Sequence, residues 1–198
     1  MIQILVFAGL IIVSYGLGCF STARFIAKSF KSLNIYKVGT GHPDTENIYS
    51  NIDKFLGIIA GITDFGKIYV YLFFLKILLD LFYPCLATQN HLLILGFVMV
   101  IGHCLPATHH FKGGRGIFTY IGFVTFFAPI PMLIIALLAF ILIVGFKQIR
   151  FAQYMVVLLP PFINFLFPGG KEFLGKMFLA ALLMAIINVF VSKRLGEI

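Results

Sequence analysis

The sequence predicts an all-α, polytopic membrane protein of about seven transmembrane helices, N-terminus out and C-terminus in. Three observations carry this. The 198 residues are 61% hydrophobic and only 11% charged, with a mean hydropathy of +1.04. A soluble domain of this size must cover its outside with polar groups. The apolar residues also come in continuous runs that approach the ~20 residues a helix needs to cross the hydrocarbon core. They lack the period-two alternation of a membrane β-barrel. Finally, of the fifteen Lys and Arg, all but Lys76, Lys171 and Lys176 fall at ends that seven alternating spans place on one side. That is the positive-inside pattern, so the formal net charge of +8 marks a membrane face and not a nucleic-acid surface. The expectation is a single integral-membrane domain over 1–198, multi-pass in the cell membrane, with the lipid bilayer as its surroundings and no nucleic-acid partner.

The first span covers residues 2–23. It has no basic n-region and no small-residue cleavage site, and it reads as a retained span rather than a signal peptide. Arg24, Lys28 and Lys31 follow it and no cation precedes it, which sets the orientation. Residues 24–54 form the longest polar segment, broken by Gly39, Gly41 and Pro43. Read alone, it is either a set of hydrogen-bonding groups placed beside the bilayer or a solvated loop. The second span, 55–83, is interrupted by Asp64 and Lys67, which share a helix face three residues apart. Charges inside an apolar run face protein or water and mark function, a structural ion pair being the alternative. Lys76 and Asp80 form an ordinary pair near the far end.

The third span, 92–106, returns inside at Gly102-His103. The fourth, about 114–128, is short, and Pro129 and Pro131 turn the chain outside. The fifth covers 132–146 and is followed inside by Lys147 and Arg150; the sixth covers 151–167; the seventh covers 173–191 and ends at Lys193-Arg194. His91 sits at an outer turn. Cys19, Cys85 and Cys104 form no C-x-x-C pair and read as small apolar residues.

One stretch stands apart. Residues 102–119 hold three of the five histidines, and Lys112-Gly113-Gly114-Arg115-Gly116 leads directly into an apolar run. This is a glycine-rich loop feeding a helix N-terminus, where bare N–H groups, the dipole and two cations favour a phosphate. A plain juxtamembrane loop is the alternative. The topology gathers 24–54, 64–67 and 103–119 on one face, which argues for one composite site. Lys67, Lys112, Arg115 and the N–H groups of Gly113, Gly114 and Gly116 would hold phosphates. Ser21, Thr40 and Asn47 would position hydroxyl or phosphate oxygens. His103 is the proton carrier or a loop-holding donor, with His42 as a second candidate. A zinc set of His103, His109, His110 and Asp64 can be drawn, but Pro106 prevents a helical i, i+4 pair and the spacing fits no familiar ligand pattern, so no metal is expected.

Residues 102–119 closely resemble a motif of the bacterial integral-membrane acyl-phosphate:glycerol-3-phosphate acyltransferases, roughly G-H-x-x-P-x-F-x-x-F-K-G-G-K-G-x-x-T. Gly102, His103, Pro106, Phe111, Lys112, Gly113, Gly114, Gly116 and Thr119 match, and Arg115 stands at a lysine position. The family's G-S-G-N-x-G-A-T-N resembles residues 39–47 at Gly39, Gly41 and Asn47, with Thr40 conservative and His42, Asp44, Thr45 and Glu46 departing. Its D-x-x-K-G is met by Asp64 and Lys67, with Ile68 in place of glycine, and Ser21 resembles the serine near the end of the first span. Tyr36 stands where the family has a basic residue, and the family's C-terminal histidine has no counterpart near Asn188. The resemblance implies seven helices, no metal or other cofactor, and motifs at the cytoplasmic face. It implies transfer of a fatty acyl group from acyl phosphate to the 1-hydroxyl of glycerol 3-phosphate, giving lysophosphatidic acid. Ser21, His103, Lys67 and Asn47 would be catalytic, and Gly39, Thr40, Gly41, Lys112, Gly113, Gly114, Arg115 and Gly116 would bind phosphate. The alternatives are a catalytically inactive or retuned relative that binds acyl phosphates or another phosphate-bearing ligand, and a transporter of small anions. The last is disfavoured by polar groups clustered at one end and the absence of a repeat. The oligomeric state is open, a monomer being one option.

Overall fold

A computed structural model describes residues 2–195, and these contain helices and no strand. Ten α-helices follow one another: α1 (Ile2–Gly18), α2 (Thr22–Lys31), α3 (Thr45–Asn51), α4 (Lys54–Phe82), α5 (Gln89–Cys104), α6 (Ile117–Phe127), α7 (Pro129–Phe146), α8 (Ile149–Leu158), α9 (Pro160–Phe165) and α10 (Gly170–Leu195). Each of the seven expected runs is helical. Four helical stretches are long and apolar enough to cross a bilayer: Ile2–Lys31, Gln89–His109, Pro129–Phe146 and Phe173–Arg194. The C-terminal residues 196–198, expected inside, lie outside the described residues.

Three expectations change. The first run is not one helix to residue 23, because Ser21 adopts extended backbone, caps α2 by accepting from the Arg24 N–H, and starts a new helix. Helix α2 buries Thr22, Ala23, Ile26 and Ala27 on one face and carries Lys28 and Lys31 in its last turn. Its 10 residues are too few to cross a bilayer by themselves, and burial on one face is the amphipathic pattern. Residues 24–54 are likewise not one loop, since α2 and α3 pack with the start of α4 around Ile35, Ile48 and Ala60. The sixth run is split into α8 and α9 at Leu159, where Pro160 and Pro161 remove N–H donors and begin a second helix.

Helix α4 has 29 residues, about 44 Å of rise. Asp64, Lys67, Lys76 and Asp80 interrupt its otherwise apolar run, and its length exceeds what one crossing needs. Helix α1 packs on α5 at a close backbone approach. A Cβ on Gly18 would strike the Met99 carbonyl, and one on Gly102 would strike that of Tyr15. Small residues let helices approach in lipid, where contact and hydrogen bonding rather than the hydrophobic effect hold them together. Tyr15 reinforces the pair: its hydroxyl donates to the Leu105 carbonyl (2.7 Å) and accepts from the Ala107 N–H (3.0 Å). The main core is formed by Tyr120, Phe123, Met132, Ile135, Ala152 and Met184 with their neighbours. Leu133, Leu137 and Val144 of α7 and Leu182 and Ile186 of α10 point outward, as lipid-facing positions do.

Candidate active site

The polar centre is built on Lys67. Its ammonium meets Asp64 Oδ1 at 2.9 Å, the Phe20 carbonyl at 3.0 Å and His103 Nδ1 at 2.9 Å. An ammonium must donate, so Nδ1 accepts and the His103 proton sits on Nε2. That nitrogen lies 3.9 Å from Asp64 Oδ2. Asp64 also accepts from the Thr22 hydroxyl at 2.8 Å. Asp64 is 2% exposed and His103 3%. A buried carboxylate needs such partners, because an unpaired one would cost several kcal/mol. The break between α1 and α2, the middle of α4 and the end of α5 are thus joined in one network.

The loop before α3 is organised by Asn47. Its Oδ1 accepts from the Thr40 N–H (3.1 Å) and from Asn51 (3.0 Å), and its Nδ2 donates to the Val38 and His42 carbonyls, both at 2.9 Å. Two donors and two lone pairs are therefore all engaged within the loop. Gly39, at φ +57°, leaves no room for a Cβ, which would strike the Asn47 Oδ1 and the Asn51 side chain. Ser21 donates to the Pro43 carbonyl at 3.5 Å, tying the same loop to α2. Asp44 caps α3 by accepting from the Asn47 N–H at 3.0 Å. Burial pushes the Asp44 carboxyl above the ordinary carboxylate range, opposed by that N–H and by the nearby Arg115.

The glycines of 113–116 are required by protein packing first. A Cβ on Gly113 would strike the His103 and Cys104 carbonyls. One on Gly114 would come within 2.8 Å of the Pro43 carbonyl and 3.3 Å of His103 Nε2. The loop is pressed against the end of α5 and the 43–44 turn, which is how His103 is held under it. Gly116, at φ +71°, caps α6 without a side-chain partner for its first N–H groups. Lys112 is exposed, and its carbonyl accepts from the Tyr36 hydroxyl at 2.8 Å.

A cavity of about 700 Å³ opens beside this network. Its long wall is apolar, with Ile58, Ile62, Phe65, Phe118, Ile121 and Phe140 from α4, α6 and α7. Its polar end holds Asp44, Thr45, Glu46, Asp64, His103, Arg115, Gly116 and Gln153. Of the expected site residues, then, His103, Arg115 and Gly116 reach the cavity itself. Lys67 stands directly behind His103. Ser21, Gly39, Thr40, Gly41, Asn47, Lys112, Gly113 and Gly114 surround it without lining it. Arg115 does not extend freely: its Nη1 donates to Glu46 Oε2 at 2.9 Å. Cys104 is fully buried and does not line the cavity. Of the drawn zinc set, only His103 and Asp64 are neighbours, while His109 hydrogen-bonds Thr108 on an exposed turn.

Thr22, Thr45 and Gln153 are not singled out by the sequence, and Glu46 reads there only as one of the hydrogen-bonding groups of the 24–54 segment. Gln153 had a readable signal, an amide inside an apolar run. Thr22 had none, because its value lies in which carboxylate it meets.

Residues 8–195 match the family described as Glycerol-3-phosphate acyltransferase. Glycerol-3-phosphate acyltransferases of Streptococcus pyogenes serotype M5 (strain Manfredo) and serotype M49 (strain NZ131) are each 29% identical over 186 residues, covering 90% of this chain and 83% of theirs. The fold is similar to that of PlsY (YgiH), an integral membrane glycerol 3-phosphate acyltransferase, in its glycerol 3-phosphate form (TM-score 0.76) and its lysophosphatidic acid form (0.71). Both are 21% identical, and the match covers 96% of this chain and 89% of that one. With residues 8–195 of the 198 matched, the chain belongs to the glycerol-3-phosphate acyltransferase family.

Proposed function

We propose that this protein transfers a fatty acyl group from acyl phosphate to the 1-hydroxyl of glycerol 3-phosphate, releasing phosphate and lysophosphatidic acid. The observation that carries the reading is an apolar cavity of about 700 Å³ whose polar end meets His103, Arg115 and the uncapped start of α6. An acyl chain suits the apolar wall, and its phosphate suits the guanidinium and helix N-terminus. The hydroxyl oxygen forms the new bond to the acyl carbon, the acyl–phosphate C–O bond breaks, and the hydroxyl proton ends on the departing phosphate. His103 presents Nε2–H to the reacting oxygens, with Lys67 and Asp64 fixing its tautomer and orientation. Ser21 and Asn47 act by holding the 38–44 loop in place. Gly39, Thr40 and Gly41 belong to that loop, and Lys112, Gly113 and Gly114 shape the other. Lys112 adds an exposed cation that favours approach of anionic substrate.

We place the site on the cytoplasmic face, with seven crossings, the N-terminus outside and the C-terminus inside. The buried position of Cys104 supports direct transfer without an acyl-enzyme. The test is lysophosphatidic acid formation by the purified protein in detergent, given acyl phosphate and glycerol 3-phosphate. Cys104→Ser should retain most activity, and His103→Gln should lose about a hundredfold or more. Equal losses in both would revive a covalent route through the cysteine.

A further inference from the structure

The Arg115 guanidinium is paired with a carboxylate of its own chain. Glu46 Oε2 accepts from Arg115 Nη1 at 2.9 Å and from Gln153 Nε2 at 2.6 Å. The three residues come from three places: the first turn of α3, the loop entering α6, and α8. All three line the polar end of the large cavity. Arg115 and Gln153 also line a second cavity of about 220 Å³, together with Arg150, Asn188 and Ser192. The ion pair therefore stands at the junction of the two cavities. The Arg115 side chain is 10% exposed and that of Glu46 25%. The guanidinium is the more buried partner, and the carboxylate is the more accessible one. Arg115 and Glu46 also both depart from the residues of the motifs they resemble.

We propose that Glu46 is a resident counter-ion which a substrate phosphate displaces from Arg115, so that Glu46 sets this chain's affinity for a phosphate-bearing substrate. This rests on the acyltransferase reading above. A buried guanidinium needs compensating negative charge, and Glu46 supplies a direct ion pair, with Asp44 nearby. A phosphate brings more charge and more acceptor oxygens than a carboxylate, and it also gains the N–H groups at the start of α6. It therefore wins the exchange. Glu46 turns toward solvent, with Gln153 as its remaining partner. Every binding event works against the Glu46–Arg115 contact, so weakening that contact strengthens binding.

Acyl phosphate and glycerol 3-phosphate both carry the required group, so KM for each is measured separately with wild type, Glu46→Gln and Glu46→Ala. One of the two KM values should fall about fivefold, with kcat unchanged or lower. That arm identifies which substrate meets Arg115. The gain should vanish when Arg115→Ala is added to Glu46→Gln. A structural role alone would lower the unfolding temperature and leave KM where it was. Unchanged or higher KM for both substrates in an active enzyme would overturn the proposal, as would a gain that survives loss of Arg115. If the wild type fails to turn over, the acyltransferase reading falls, and displacement is tested by itself with inorganic phosphate. Glu46→Gln should then need about fivefold less phosphate than wild type for the same thermal stabilisation. Equal requirements would overturn it.

Discussion

An ammonium has three N–H donors, and those of Lys67 are divided among Asp64, His103 and the Phe20 carbonyl. The sequence shows that Asp64 and Lys67 share a helix face, and spacing alone gives that much. It does not show the third and fourth partners, Thr22 and His103, which lie 42 and 36 residues away from theirs. In the proposed mechanism Lys67 aims His103 through these contacts. Removing it leaves Asp64 buried without its main counter-ion. Lys67→Met should lower stability by about 3–5 kcal/mol and abolish turnover. Adding Asp64→Asn to Lys67→Met removes the orphaned charge and should recover much of the stability, but not the turnover. Denaturant unfolding and product formation, measured on the same detergent preparations, separate the two effects. Full recovery of activity in the double variant would show that the pair serves only to hold α4 in place.

At the scale of elements, α3 depends on an acid that is both its cap and buried. Asp44 accepts from the Asn47 N–H at 3.0 Å, and burial raises its carboxyl above the ordinary value. The sign follows from linkage. The unfolded chain gives up this proton at lower pH than the folded one, so Asp44 favours folding least once pH has risen past its raised value. Asn is as good a cap as Asp and carries no charge to desolvate. Asp44→Asn should therefore raise the unfolding temperature at pH 8 and flatten its decline between acid and neutral pH. An unchanged pH profile would show that the Asp44 charge is compensated in place, by the Asn47 N–H and then by Arg115. The existence of this element was not legible in the sequence. Gly39, Gly41 and Pro43 mark a break correctly, but seven residues of α3 after them give too short a pattern to separate from a loop. The α1–α2 break was similarly hidden, because Ser21 and Thr22 read equally well as the end of a span and as a helix cap. The long elements α4, α5, α7 and α10 were legible, since continuous apolar runs are the strongest local signal a membrane chain carries.

Across the whole molecule, charge distribution and geometry meet. The cation pattern places residues 24–54, 64–67 and 103–119 on one membrane face before any coordinates are considered. The structure joins those same segments through Lys67–His103 and Arg115–Glu46, and Thr22, just before the first of them, adds a bond to Asp64. What charge alone could not give was which residues reach the cavity, because that depends on how a glycine loop folds over the end of α5. The shared face makes topology testable with the protein's own thiols. Cys85 is exposed in the turn after α4, while Cys19 and Cys104 are buried. In intact cells a membrane-impermeant maleimide should label wild type through Cys85, from outside. In a Cys85→Ser background, Lys171→Cys should also label from outside. Ser32→Cys and Lys193→Cys should label only after the membrane is opened. All three substituted positions are exposed, so a failure to react reports sidedness and not burial. Labelling of Ser32→Cys from outside intact cells would invert the orientation and move the site to the opposite face. Labelling of Lys193→Cys from outside with Ser32→Cys still protected would give an even number of crossings. The short α6 or the broken α8–α9 pair would then fail to reach the far side.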